Sequence, residues 1–165
     1  MAKEPSAKEP SEEFITIDIA RDLDYRWKVG RYLSRFNQEM RDNKRLVANR
    51  CPKCGMLYLP PQMVCGRCHV RAGEEFIELS DKGTVTQYSF VVQRLWDPVE
   101  GKWFEPSPYP GATILLDGGV YTMGRLEETD MEKIHRGMRV EAVWKEKKER
   151  GLGTHDILYW RTIEE

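Results

Sequence analysis

The sequence has no apolar run approaching the roughly 20 residues that a membrane-spanning helix needs, so nothing in it reads as a bilayer segment. Its opening residues, MAKEPSAKEPSEE, lack the apolar centre of a secretory signal, and a cytoplasmic location is expected. An excess of basic charge is also missing: 26 lysines and arginines stand against 27 acidic residues, for a net charge of −1. Proteins that grip a nucleic-acid backbone usually carry a basic surface, so this balance speaks against that role. Histidine is scarce. His69, His135 and His155 are the three, and none lies beside a nucleophile motif. Each reads as a surface or structural residue. There is no glycine-rich phosphate fingerprint and no pair of carboxylates at a legible spacing. The sequence therefore offers no constellation for acid–base or nucleophilic catalysis, and it reads as a binding or scaffolding protein.

Cysteine is scarce too, but its placement is informative. All four lie in CPKCGMLYLPPQMVCGRC, where two Cys-x2-Cys units, Cys51/Cys54 and Cys65/Cys68, are separated by ten residues. In a reducing compartment this spacing favours a metal over disulfides. Each unit forms a tight turn that offers two thiolates to one ion, and Gly55 and Gly66 ease those turns. Four thiolates suit tetrahedral zinc in a closed structural site, and iron takes the same ligands. His69 follows Cys68, but four cysteines already satisfy the ion. So small a ribbon has little core, and a structural zinc contributes an apparent ~10–16 kcal/mol to folding in comparable units.

The rest of the chain divides around that ribbon. Residues 1–21 form a tail, disordered or extended, because Ala, Lys, Glu, Pro and Ser repeats bury too little apolar surface to offset ordering entropy. Residues 22–45 read as a helix, with Tyr25, Val29, Leu33, Phe36 and Met40 on one face, Trp27 and Tyr32 widening it, and Gly30 as a kink or close contact. That face packs on this chain's own core or on a partner subunit. Residues 46–80 form the ribbon and 81–165 a β-rich unit. Within the latter, strands are expected at 84–93, 112–116, 120–126, 139–144 and 155–163, with a short helix at 129–136. Five strands with a helix between the third and fourth match an OB-fold barrel, and an SH3-like barrel reads similarly.

Two connections stand out. Residues 94–110 make a long loop with two tryptophans, Phe104, Tyr109 and four prolines. Such loops are usually functional. This one suits a partner surface or a flat ring, or else its aromatics fold back over the barrel. Residues 145–151, KEKKERG, read as a solvated hairpin tip; phosphate binding is the lesser reading, because two glutamates interrupt the basic run.

The order of helix, RCPKCG knuckle, Pro60-Pro61, second Cys-x2-Cys, GTVTQYSF and PYPGATILLDGGV resembles one family over residues 22–163. It is the acyl-CoA-associated group of rubredoxin-like zinc ribbon plus OB-fold proteins known as domain of unknown function 35. The matching positions are Cys51, Cys54, Pro60, Pro61, Cys65 and Cys68 in the ribbon, and Gly83, Val85, Tyr109, Pro110, Leu116, Asp117 and Gly118 in the barrel. The resemblance implies a zinc-binding accessory subunit that forms a hetero-oligomer with a thiolase-superfamily enzyme and helps shape its acyl-CoA site. One such arrangement is the small subunit of a benzoylsuccinyl-CoA-type thiolase, in aromatic acyl-CoA degradation. Bond making then belongs to the partner, since thiolysis needs an activated cysteine and the four here are committed to metal. On this reading Arg94 and Arg125 meet the CoA phosphates, and Trp96 or Trp103 stacks on the adenine. The competing class is a single-stranded nucleic-acid binder, which would use aromatic platforms on the same fold. A stand-alone hydrolase or redox enzyme lacks a site.

Overall fold

The computed structural model describes residues 28–90, 94–105, 109–151 and 153–164. The expected tail and residues 22–27 of the expected helix, with Tyr25 and Trp27, lie outside them. The helix α1 spans Gly30–Gln38 and continues as a wider π-type turn, Glu39–Asn43, which Lys44 ends at φ +55°. Gly30 has φ +74° and starts the helix instead of kinking it. That shifts the buried stripe: Tyr32, Phe36 and Met40 face inward, Leu33 is half-buried, and Val29 is exposed. The described part of the helix thus packs its apolar face on the chain's own core.

Three antiparallel strands follow: β1 (Leu46–Arg50), β2 (Leu57–Tyr58) and β3 (Phe76–Leu79), in the order β2-β1-β3. Strand β1 pairs with β3 from Leu46↔Leu79 to Asn49↔Phe76. Its inner end joins the hydrophobic core, and its outer end leads into the cysteines. Asn49 is fully buried there. Its Nδ2 donates to Gln62 O (2.7 Å) and Gly73 O (2.9 Å), and its Oδ1 accepts from Gln62 N (3.0 Å). One amide thus satisfies backbone groups of two loops that no strand pairs.

The remaining strands are β4 (Lys82–Ser89), a hairpin of β5 (Leu95–Asp97) and β6 (Lys102–Phe104), then β7 (Gly111–Leu116), β8 (Tyr121–Arg125), β9 (Arg139–Trp144) and β10 (Ile157–Thr162). Five of them form one sheet in the order β10-β9-β4-β7-β8. The free edges of β8 and β10 meet through a parallel bridge, Leu126↔Trp160, with Glu127 N donating to Trp160 O at 2.9 Å. A three-strand meander whose first strand also pairs with the fourth, and whose last meets the fifth in parallel, is the closure of an OB-fold. Val85, Ile114, Leu116, Leu126, Val140 and Trp160 fill its interior, and this core is continuous with Phe36, Met40, Leu46 and Leu79.

Three expectations change. Residues 129–136 are turns, not helix: Glu128 Oε1 accepts from Thr129 N and Asp130 N, and Asp130 Oδ1 accepts from Glu132 N. Side-chain bonds of this kind compete with a helical ladder. The 94–110 segment carries its own two-stranded hairpin, on which Trp96, Trp103 and Phe104 stay about half exposed. In 145–151 Lys147 and Lys148 are exposed and Lys145 is half-buried, but Arg150 turns inward and its Nη1 donates to Met40 O at 3.4 Å.

Candidate functional site

The two Cys-x2-Cys units fold as near-copies of each other. In the first, Gly55 N donates to Cys51 O (2.9 Å) and Cys51 N to Met56 O (2.8 Å). In the second, His69 N donates to Cys65 O (2.9 Å) and Cys65 N to Val70 O (2.9 Å). Gly55 at φ +75° therefore has His69 at φ +55° as its counterpart. The left-handed position of the second knuckle falls on a histidine, not on Gly66. His69 is exposed and serves the turn through its backbone.

The knuckles bring the Sγ atoms of Cys51, Cys54, Cys65 and Cys68 within 4.8 Å of one another, with Cys54 and Cys65 at 3.7 Å. Zinc–sulfur bonds of about 2.3 Å in a tetrahedron put neighbouring sulfurs roughly 3.8 Å apart. The donor set and its spacing fit zinc, and all four positions are supplied by protein. Cys51 and Cys65 are buried, Cys68 is half-buried and Cys54 is exposed. The ion would sit at the tip of the ribbon, one side towards solvent.

Tyr58, on β2, is a feature the sequence reading missed. Its hydroxyl lies 3.0 Å from Cys65 Sγ and accepts from Gly66 N at 3.0 Å. Cys68 N adds a bond to the same sulfur at 3.3 Å. These donors pull the Cys65 thiol down to about 6, Tyr58 being the largest cause. Cys68 is pushed up, first by its hydrogen bond with Cys54, then by burial and its hydrogen bond with Cys65, and last by repulsion from those two sulfurs. A cation relieves that repulsion.

The four residues expected to meet CoA do not form one cluster of free groups. Arg94 pairs with Glu105 at 3.2 Å across the base of the β5–β6 hairpin. Trp96 and Trp103 are cross-strand partners on that hairpin, edge to face with ring centres 5.2 Å apart, and stay 49% and 57% exposed. Arg125 lies elsewhere, at the end of β8. It lines a groove of about 430 Å³ with Met123, Lys145, His155, Ile157 and Leu158. Among the described lining residues there is no carboxylate, and neither Arg125 nor Lys145 has an ion pair with a described residue. The groove lies beside the connection between the last two strands, one of the places where OB-folds take ligands. His155 was not singled out for this role from the sequence, and Lys145 entered it only as part of the 145–151 run. They are far from Arg125 along the chain and meet it only when the barrel closes.

Residues 39–73 match the model of the ChsH2 rubredoxin-like zinc ribbon domain, and 76–145 that of the ChsH2 C-terminal OB-fold domain. A DUF35 domain-containing scaffold protein of Methanocaldococcus jannaschii is 37% identical over 107 residues, 64% of this chain and 72% of that protein. The chain belongs to the DUF35 family. A second DUF35 scaffold protein, from Pyrococcus furiosus, is 32% identical over 111 residues, 67% of this chain and 76% of that protein. Among solved structures, a chain of the Ltp2-ChsH2(DUF35) aldolase superposes with a TM-score of 0.55 at 26% identity, covering 83% of this chain and 98% of that one. The DUF35 assignment accounts for both halves, the zinc ribbon and the OB-fold. It leaves the SH3-like alternative aside. No helix among the described residues is long and apolar enough to cross a membrane.

Proposed function

We propose that this chain is a non-catalytic accessory subunit that binds a thiolase-superfamily enzyme and helps form its acyl-CoA site, with an aromatic acyl-CoA as the substrate class. The observation that carries the reading is the likeness, over most of both chains, to a DUF35 protein named together with Ltp2 in an aldolase. The chain's own chemistry agrees. Its cysteines gather as a closed tetrathiolate, which has no open position for substrate.

Within such a complex the groove of Arg125, Lys145 and His155 takes the CoA phosphates. Two unpaired cations and an imidazole line it, Met123 and Leu158 give it apolar walls, and charge-assisted bonds to phosphate are strong and directional. Arg94 reaches a phosphate only by exchanging Glu105. Trp96 and Trp103 sit on the β5–β6 hairpin and are not among the lining residues of that groove.

Co-expression with each thiolase-superfamily protein of the same genome, followed by size-exclusion chromatography, tests the partnership. One stable complex is expected, and failure with every candidate removes the reading. In that complex, Arg125→Ala and Lys145→Ala should each weaken CoA binding by roughly tenfold, read by calorimetry. Unchanged affinity would take the phosphates out of this groove.

A further inference from the structure

The β5–β6 hairpin has an electrostatic composition that separates it from the groove. Between Arg94 and Glu105 it carries two cations and three carboxylates. Both cations are neutralised within it: Arg94 by Glu105, and Lys102 by Glu100. Asp97 Oδ1 closes the turn by accepting from Val99 N (2.8 Å) and Glu100 N (3.2 Å). The hairpin thus presents no free cation and a small net negative charge.

Its apolar groups do the opposite and stay uncovered. Trp96 and Trp103 are directly opposite each other, so they share one face. Phe104 lies on the other face, with the Lys102 ammonium 5.7 Å from its ring centre. Val99, at the tip, is 91% exposed. One face is therefore an open tryptophan pair, and the other has a cation over its aromatic ring.

We propose that this hairpin is a wedge that inserts its Trp96–Trp103 face and Val99 tip into an uncharged apolar cleft of the partner protein. The inference deepens the reading above and rests on it, since it names the surface through which the partner is held. Charge selects the occupant. A polyphosphate ligand or a nucleic acid would meet a hairpin with a net negative charge and no spare cation, whereas an apolar protein cleft meets aromatic surface with its polar groups already satisfied. Tryptophans at the centre of a dry contact are the residue type that most often dominates interface affinity.

The test uses the complex found by co-expression. Trp96→Ser/Trp103→Ser and, separately, Val99→Glu are introduced into the full chain. Zinc content and the thermal midpoint of the isolated chain check that it folds. Val99→Glu places a carboxylate at a position already in solvent, so it should leave both unchanged. The inference expects each variant to weaken the complex by roughly tenfold or more, read by analytical ultracentrifugation, while the CoA affinity of whatever complex remains is preserved. A complex of full strength with both variants would overturn the wedge and leave the proposed partnership standing. Loss of CoA affinity with an intact complex would reassign the tryptophans to adenine stacking. Absence of any complex with the unaltered chain removes the partnership itself, and the wedge with it.

Discussion

The tip of the ribbon and the interior of the barrel are held together by different means. Around the knuckles, Met56, Met63 and Val64 are exposed, and the buried side chains there are Cys51, Cys65, Ala72, Pro61 and the amide of Asn49. Little apolar surface leaves water, so the fold at that end depends on metal–sulfur bonds and a few directed hydrogen bonds. In the barrel, Trp160, Ile114, Leu116, Leu126, Val85 and Val140 are all almost fully buried, and burial of such side chains contributes about 1.5–3 kcal/mol each. One end is a coordination compound and the other a packed core. A protein built this way can lose its metal and keep its barrel.

The strongest break in that comparison is removal of the ion. Cys65→Ser, or a chelator, should abolish zinc binding measured by elemental analysis, at an apparent ~10–16 kcal/mol for sites of this kind. Backbone amides of residues 51–72 should then exchange rapidly, while those of Ile114, Leu116 and Val140 keep their protection. If all of them lose protection together, the two ends are one cooperative unit and the comparison fails.

The converse perturbation strikes the barrel and spares the metal. An added Cβ at Gly124 would lie 2.2 Å from Trp160 Nε1, inside any tolerable contact. Trp160 is 1% exposed and sits at the closing bridge, so it has little room to yield. Gly124→Ala should lower stability by about 1–3 kcal/mol, measured by denaturant unfolding. Trp160→Ala should lower it by about 3–5 kcal/mol. Zinc content should stay at the unaltered level in both, and its loss would show that the barrel supports the knuckles.

Much of this architecture is legible in the sequence, for reasons that differ by element. The four cysteines that the spacing groups are the four that the fold gathers, because a Cys-x2-Cys turn is a local structure. The strand at 139–144 is legible from short-range alternation, and that at 112–116 from its apolar run before a turn. Of the stripe expected for the helix, Phe36 and Met40 are buried and Leu33 is half-buried, while Val29 is exposed because it caps a helix that starts at Gly30. The 95–104 hairpin left a signal that went unread: Asp97-Pro98 and Gly101 form a turn between two tryptophan-bearing segments, and Gly101 has φ +63°. Tyr58 and Asn49 left none. Each acts across the fold, on Cys65 and on two separate loops, and a lone Tyr or Asn in a sequence carries no record of such partners.

Tyr58 sharpens the comparison at an intermediate scale. Tyr58→Phe removes the hydroxyl that holds Cys65 as a thiolate, and Cys65 should then titrate upward from about 6 towards the ordinary thiol range. Zinc affinity should fall by roughly tenfold, as when other outer-sphere partners of metal ligands are lost, measured by competition with a chromogenic chelator. Barrel stability should not move. Equal affinity in the variant would mean that the backbone donor Cys68 N suffices to order this knuckle.

The smallest effect belongs to an ion pair at the seam between the two ends. Arg139 on β9 donates through Nη1 and Nη2 to both carboxylate oxygens of Asp117, at 2.6 and 2.8 Å, and Nη1 also reaches Thr84 Oγ1 at 3.1 Å. Asp117 begins the β7–β8 turn, and an added Cβ at the next residue, Gly118, would lie 2.8 Å from Leu79 Cδ2, so this turn packs directly on β3. Hydrogen bonding to Arg139 holds the Asp117 carboxyl below its usual range. A carboxylate whose folded value is depressed contributes fully above its unfolded value of about 3.9, and loses that contribution as pH falls through the depressed folded value. Both side chains are partly solvated, at 25% and 42% exposure, so Asp117→Asn should cost no more than about 1 kcal/mol near neutral pH. The gap between variant and unaltered chain should close as the pH drops below 4. It should shrink with salt, which screens exposed pairs. A gap that persists in acid would mean that Asp117 acts through the shape of its turn and not through its charge.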